Sequence, residues 1–194
     1  MRKMIENMMK KVFLMLAAGL LLTTSCNQKV KVTDSKQKIK VFDSETNEEI
    51  DLAAATGINS KFVDLGLPGP QGQTVWVRDY VGQNKLVLID FWASWCGPCR
   101  AEIPNLMAAY KKYKDRGLMV VGIASWDKPD ASLKAIEEDG VIYPQIINAQ
   151  EIATNAYNIS GIPHIILFAP DGTILARGLR GEEIEGKLSE IFGD

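Results

Sequence analysis

The sequence predicts an α/β domain: a mixed central β-sheet with helices on both faces and a β-hairpin extension at its N-terminal end. Three features carry this expectation. Two near-continuous apolar runs, LVLIDFW at 86–92 and LMVVGIA at 118–124, have the texture of strands buried on both faces. Between them Ile103, Leu106, Met107, Tyr110 and Tyr113 recur at helical spacing and Gly117 closes the pattern, so 86–124 reads as a βαβ unit with parallel strands. Further on, apolar segments at 165–169 and 173–176 flank Pro170-Asp171-Gly172, which supplies a hairpin with turn residues where it needs them.

The remaining elements fall in order around this frame. Short strands are expected at 62–67 and 74–77, on either side of the turn signal PGPQGQ. Helices are expected near 130–139 and 151–157. The last segment, 182–192, places Ile184, Leu188 and Ile191 on one face and stops at Gly193. Upstream, residues 27–57 carry Lys29, Lys31, Lys36, Lys38 and Lys40, followed by Asp43, Glu45, Glu48, Glu49 and Asp51. Residues 38–42 alternate like a short strand, yet the stretch has too little apolar content to fold alone. It reads as a polar tether; the alternative is that its strands dock on the edge of the domain.

Composition narrows the function classes. With 194 residues, 46% apolar and 24% charged, the chain is neither disordered nor a coiled coil, a collagen or a disulfide-dense miniprotein. The net charge of −2 hides an asymmetry, because Arg2, Lys3, Lys10 and Lys11 face only Glu6 in the first 25 residues. Without that segment, 22 basic and 24 acidic residues become 18 and 23, a net of −5. An acidic body without a basic stripe lacks the electrostatic footprint of a nucleic-acid binder.

The N-terminus reads as an address. Lys10 and Lys11 precede the apolar run VFLMLAAGLLL, too short to span a bilayer and suited to the core of a secretory signal peptide. The run ends at Thr23-Thr24-Ser25-Cys26, which resembles a bacterial lipoprotein signal, although Thr23 stands where that signal usually has leucine. The resemblance implies cleavage after residue 25 and lipidation of Cys26, with several acyl chains holding the protein on a membrane. Three cysteines are an awkward count in an oxidising compartment; committing Cys26 to lipid leaves Cys96 and Cys99 as a pair. The expected organisation is therefore a signal peptide at 1–25, a tether at 26–57 and one domain at 58–194.

Cys96, Gly97, Pro98 and Cys99 lie between a buried strand and the start of a helix. At a helix N-terminus, unpaired N–H groups and the positive end of the dipole favour a thiolate, so the pKa of Cys96 is expected to fall. Cys99 would sit one turn inside and less exposed. This assigns Cys96 as attacking nucleophile and Cys99 as resolving thiol, in a cycle whose only redox group is their own disulfide. Half a zinc site has the same spacing, but no second cysteine pair exists and His164 is the sole histidine, so four ligands are hard to gather. A purely structural disulfide is the other alternative.

The stretch DFWASWCGPC, Asp90 to Cys99, resembles the thioredoxin active site. Pro104 inside the following helix, Gly161-Ile162-Pro163 and Pro170-Asp171-Gly172 extend the likeness over roughly 58–194. Within that superfamily the chain is most similar to exported, membrane-tethered thiol-disulfide oxidoreductases of the TlpA and ResA type, which carry a hairpin ahead of the central strand. The resemblance implies a thioredoxin-like fold. It implies that Asp90, interrupting an apolar strand, is a buried acid with a raised pKa that takes and returns the proton of Cys99; the alternative is an aspartate exposed at a strand end. The usual lysine on the next strand is missing from 120–123. It further implies that Pro163 is a cis proline beside the disulfide, leaving the Ile162 backbone to pair with an extended substrate. His164 follows where related proteins commonly have threonine. Trp95 is expected at the surface beside Cys96, Trp92 beneath it, and Trp76 and Trp126 as packing residues.

The expected function is extracytoplasmic thiol-disulfide exchange with protein substrates, as a reductant supplied by a membrane electron donor on the periplasmic side of a bacterial envelope. No metal and no separate cofactor is expected. A thiol peroxidase is the competing enzyme class, disfavoured because Ala93 stands where the peroxidatic motif has threonine. A redox-inert binding or chaperone module is the third reading, disfavoured by the intact Cys96, Cys99 and Asp90.

Overall fold

The computed structural model of the chain describes residues 41–42, 49–51 and 56–194. The expected signal segment 1–25, Cys26 and the rest of the 26–57 tether lie outside the described residues. Within the tether, β1 (Val41–Phe42) and β2 (Glu49–Ile50) form a two-residue antiparallel pair. Among the described residues no helix is long and apolar enough to cross a membrane.

The domain is built around β5 (Leu86–Trp92), whose seven residues are all buried. It pairs in parallel with β6 (Leu118–Ala124), which pairs in parallel with β7 (Gln145–Ile146). On its other side β5 pairs antiparallel with β8 (His164–Phe168), and β8 with β9 (Ile174–Arg177), giving the sheet order β7-β6-β5-β8-β9. The expected mixed sheet is present. The strand β7 is an addition: two residues are too few to produce a periodicity, and the segment joins the sheet only through its neighbours Gly122 and Ile123.

Alternation along β5 divides the core. Val87, Ile89 and Phe91 pack on one face with Val121, Ile123, Ile166, Phe168 and Tyr157. Leu86 and Leu88 pack on the other with Leu106, Tyr113, Leu118, Ile165, Ile184 and Leu188. Each such large apolar side chain contributes roughly 1.5–3 kcal/mol on burial. The second face is covered by α1 (Gly97–Tyr113) and α4 (Glu182–Phe192), and α2 (Pro129–Glu138) joins it through Ala135. The short α3 (Ile152–Ala156) lies on the first face with Ala153 and Ala156. A 3₁₀ turn at Lys114–Arg116 ends α1, and Gly117 takes φ 103°, the left-handed cap expected of a glycine there.

The leading hairpin is shorter than expected. It consists of β3 (Gly66–Pro68) and β4 (Thr74–Trp76). Residues 62–65 are not part of it; they run past the β8–β9 turn, where the Phe62 N–H donates to the Gly172 carbonyl at 2.9 Å. Val63 and Leu65 bury into the first-face core, and the stretch is linked to the end of the hairpin by the Leu65 carbonyl, which accepts the Val77 N–H at 3.0 Å.

Candidate active site

The β5–α1 junction presents the two cysteines. Cys96 is the N-cap of α1 with extended backbone, φ −87° and ψ 95°, and its Sγ accepts the Cys99 N–H at 3.2 Å. Gly97 and Pro98 form the exposed first turn, Pro98 lacking an N–H where none would be paired. Cys96 and Cys99 are joined by a disulfide with S–S 2.03 Å and Cα–Cα 5.2 Å. Cys96 retains 5% exposure and Cys99 none, so an external sulfur can approach Cys96 alone.

Two further segments meet the dithiol. Ile162 packs against the cluster of Trp92, Ala93, Cys96, Cys99, Ala124 and Ala135, and the Ile162–Pro163 peptide bond is cis. Trp95 is 62% exposed, while Trp92 is buried with its indole N–H donating to Gln145 Oε1 at 2.9 Å. Gln145 lies over Gly122, where an added Cβ would collide with its side chain; this is why the β6 position opposite Asp90 is a glycine.

Asp90 is fully buried and neither carboxylate oxygen has a hydrogen-bond partner. Burial pushes its pKa up to about 8, with the nearby charge of Glu102 adding to the rise. The Tyr143 hydroxyl is shifted upward first by burial and then by the charge of Asp90. Glu102, one turn beyond Cys99 on α1, is held in place: its Oε2 accepts the Gly181 N–H and the Asn105 side-chain amide, each at 3.0 Å. Sequence reading missed Glu102 because its connection to Gly181 spans 79 positions.

The loop carrying Cys96 is fastened to the β6–α2 turn. Asp127, 7% exposed, accepts the Ser94 N–H at 2.7 Å and Ser94 Oγ–H at 3.0 Å, together with the Lys128 N–H at 2.8 Å and Ser132 Oγ–H at 2.7 Å. Trp95 Nε1 donates to the Trp126 carbonyl at 2.9 Å. Trp126, expected to pack inside, is instead half-buried with φ 54° and serves through its backbone. Trp76 is likewise no core residue: it is partly exposed, with the Arg78 guanidinium 3.8 Å over its ring. Arg100, just after Cys99, makes a bidentate pair with Asp139 at 2.7 and 2.6 Å and reaches Glu138 at 3.2 Å, tying the first turn of α1 to the end of α2.

Behind the proline, His164 is half-buried and its pKa falls to about 4, through burial first and then the charges of Arg177 and Arg180. Its imidazole is therefore neutral near pH 7. Arg177 bonds the carbonyls of Thr56 and Tyr157. Arg180 Nη2 donates to the Pro163 carbonyl at 2.9 Å.

The AhpC/TSA family model matches residues 58–177. A thiol-disulfide oxidoreductase ResA from Geobacillus kaustophilus is 29% identical over 140 residues, covering 71% of this chain and 79% of the relative. Among solved structures, the thioredoxin domain of a thiol-disulfide oxidoreductase from Bacteroides vulgatus superposes with TM-score 0.64 at 31% identity, over 70% of this chain and 97% of that one. A thiol-disulfide oxidoreductase from Bacteroides fragilis gives 0.62 at 30%, covering 68% and 99%.

Proposed function

Because the chain belongs to the AhpC/TSA family of thioredoxin-like proteins, and is a thiol-disulfide oxidoreductase, we propose that it reduces disulfides in proteins outside the cytoplasm, held to a membrane by lipid on Cys26. The observation that carries the reading is the arrangement of Cys96 at the helix terminus, Cys99 fully buried behind it, and Asp90 buried without a partner.

In the reduced protein the Cys96 thiolate attacks a client disulfide. A Cys96–client bond forms, and the displaced client thiolate takes a proton from water. Cys99 then gives its proton to Asp90 and attacks Cys96 Sγ; the second client thiolate leaves and is protonated in turn. The client gains two electrons and two protons, and the protein ends as the Cys96–Cys99 disulfide. Burial that raises the Asp90 carboxyl to about 8 brings it into the range where ordinary thiols lose their proton, which supports this transfer. The exposed Trp95 and the Ile162–Pro163 backbone would form the docking edge for the client, with Gly97 and Pro98 leaving the approach to Cys96 open.

The Cys-Gly-Pro-Cys sequence supports the reducing direction, and in an oxidising compartment that requires a membrane thiol donor to restore the dithiol. The 1–25 segment and Cys26 support export and anchoring, and 26–57 would be the spacer between membrane and domain. The test is dithiol-dependent reduction of a protein disulfide by the full chain. Cys96→Ala should abolish it, and Cys99→Ser should accumulate mixed disulfides through Cys96. Equal turnover by the Cys96→Ala variant, or peroxide consumption faster than disulfide exchange, would overturn the assignment.

A further inference from the structure

Among the described residues, Arg78, Arg100 and Arg116 each pair with a carboxylate, whereas Arg177 and Arg180 do not. The two without a counter-charge flank the Pro163 loop. Arg177 is partly buried and committed to backbone carbonyls, so it is structural. Arg180 is exposed, and its guanidinium makes one hydrogen bond, from Nη2 to the Pro163 carbonyl at 2.9 Å.

Its surroundings keep it beside the Pro163 loop. The Gly178 N–H donates to the Ile165 carbonyl at 2.8 Å, folding the chain after β9 back across the start of β8. The Gly181 N–H then reaches Glu102 on α1 at 3.0 Å. Gly181 adopts φ 51° and ψ −126°, a backbone state that glycine alone takes readily, with open space where a Cβ would be. Two carboxylates lie close by, Glu102 and Glu183, but both are turned to backbone N–H groups, the latter to that of Arg180 itself at 3.1 Å. Neither is within ion-pair distance of the guanidinium.

We propose that Arg180 selects the client, binding a carboxylate carried next to the cysteine of the disulfide that docks against Pro163. This rests on the protein-disulfide reading above and narrows its substrate class to disulfides flanked by acidic residues. A guanidinium offers five donors in a planar fork, and the one held by Pro163 fixes the plane while the rest remain for a carboxylate. The guanidinium has no carboxylate paired to it, and its charge adds, after burial and Arg177, to the depression at His164. A charge at the rim of a docking site acts mainly on encounter, so its effect should appear in KM and depend on salt.

The experiment uses the reduced full chain and two cyclic disulfide peptides that differ only in the residues beside the cysteines, Glu in one and Gln in the other. The ratio of their kcat/KM values is measured within each variant, so that any loss from releasing the Pro163 carbonyl cancels. The wild type should favour the Glu peptide about fivefold at low salt, as an exposed ion pair allows, and the ratio should fall towards one at high salt. Arg180→Lys should keep part of the preference and Arg180→Gln should lose it, with the change in KM. A wild-type ratio of one, or a ratio unchanged by Arg180→Gln, would overturn the selection while leaving disulfide exchange intact. If both peptides were inert while protein disulfides were reduced, the peptide edge itself would be refuted; if no disulfide substrate were turned over, the underlying reading would fall first. Should Arg180→Gln not fold, the salt dependence of the ratio in wild type and Arg180→Lys decides the matter.

Discussion

Asp90, in the strand that leads to the dithiol, and Asp127, bonded to Ser94 just before Cys96, are both buried, and their surroundings are opposite. Asp90 lies inside β5 with no donor on either oxygen; Asp127 gathers four donors, from Ser94, Lys128 and Ser132. Burial alone therefore does not tell an acid suited to moving protons from one that holds loops. The difference is donor supply. A carboxylate without donors is costly to charge and becomes a proton store, whereas one with its acceptor capacity filled becomes an anchor.

The largest expected effect tests the first half of this contrast. Asp90→Asn keeps the shape and removes the proposed acceptor of the Cys99 proton, so decay of the mixed disulfide should slow by up to about 100-fold near pH 8, where the carboxyl is ionised enough to accept, and by less towards pH 6, while its formation by Cys96 changes little. Rapid mixing separates the two phases, and an unchanged decay would mean the proton leaves through water.

Stability supplies a second reading of the same carboxyl. Its folded pKa of about 8 lies above the ordinary 3.8, so between those values the folded protein binds more protons than the unfolded chain. Its contribution is complete below about pH 4, is lost as pH rises through about 8, and is constant beyond. The total is on the order of 5–6 kcal/mol. Asp90→Asn should remove that slope and leave the oxidised variant more stable than wild type at pH 9. Denaturation midpoints at pH 5 and 9 measure it; parallel profiles would show that Asp90 is hydrated.

Asp127→Asn should destabilise at every pH, by roughly 2–3 kcal/mol. The reason is geometric. Oδ2 faces the Ser94 N–H and Oδ1 faces the Lys128 N–H, so either orientation of an amide sets its NH₂ against a backbone donor that cannot accept. Thermal or denaturant unfolding checks this, and a cost below about 0.5 kcal/mol would mean that the loop is held by the Trp95–Trp126 contact instead.

The same contrast explains what could be read from the chain. The strands β5 and β6 were legible because burial on both faces leaves uninterrupted apolar runs, and an acid breaking one of those runs marks itself. Cys96, Cys99 and Pro163 announce themselves through short-range spacing. Asp127 does not, because its partner Ser94 is 33 positions away and the local sequence SWDKPD is what any polar turn before a proline-led helix looks like. Glu102 and Arg180 were hidden for the same reason: each acts through a backbone group brought near by the sheet. The strand β7 was hidden by its length, and residues 62–65 were misread because burial in a loop and burial in a strand can share an alternation.

The smallest effect is the most local test. Ser132 is fully buried, and its hydroxyl donates to Asp127 Oδ2 at 2.7 Å, with the Lys128 carbonyl at 3.3 Å as a weaker second acceptor. Removing it by Ser132→Ala leaves Asp127 with three donors, and a hydrogen bond to a carboxylate of this kind contributes about 1–2 kcal/mol. In an Asp127→Asn background the partner is already compromised, so the same substitution should cost far less. The double-mutant cycle should therefore show a coupling of about 1 kcal/mol between the two positions, beyond the few tenths expected of independent sites. Strict additivity would mean that Ser132 contributes only packing to α2, and that Asp127 anchors the Ser94 loop without help from the helix that follows it.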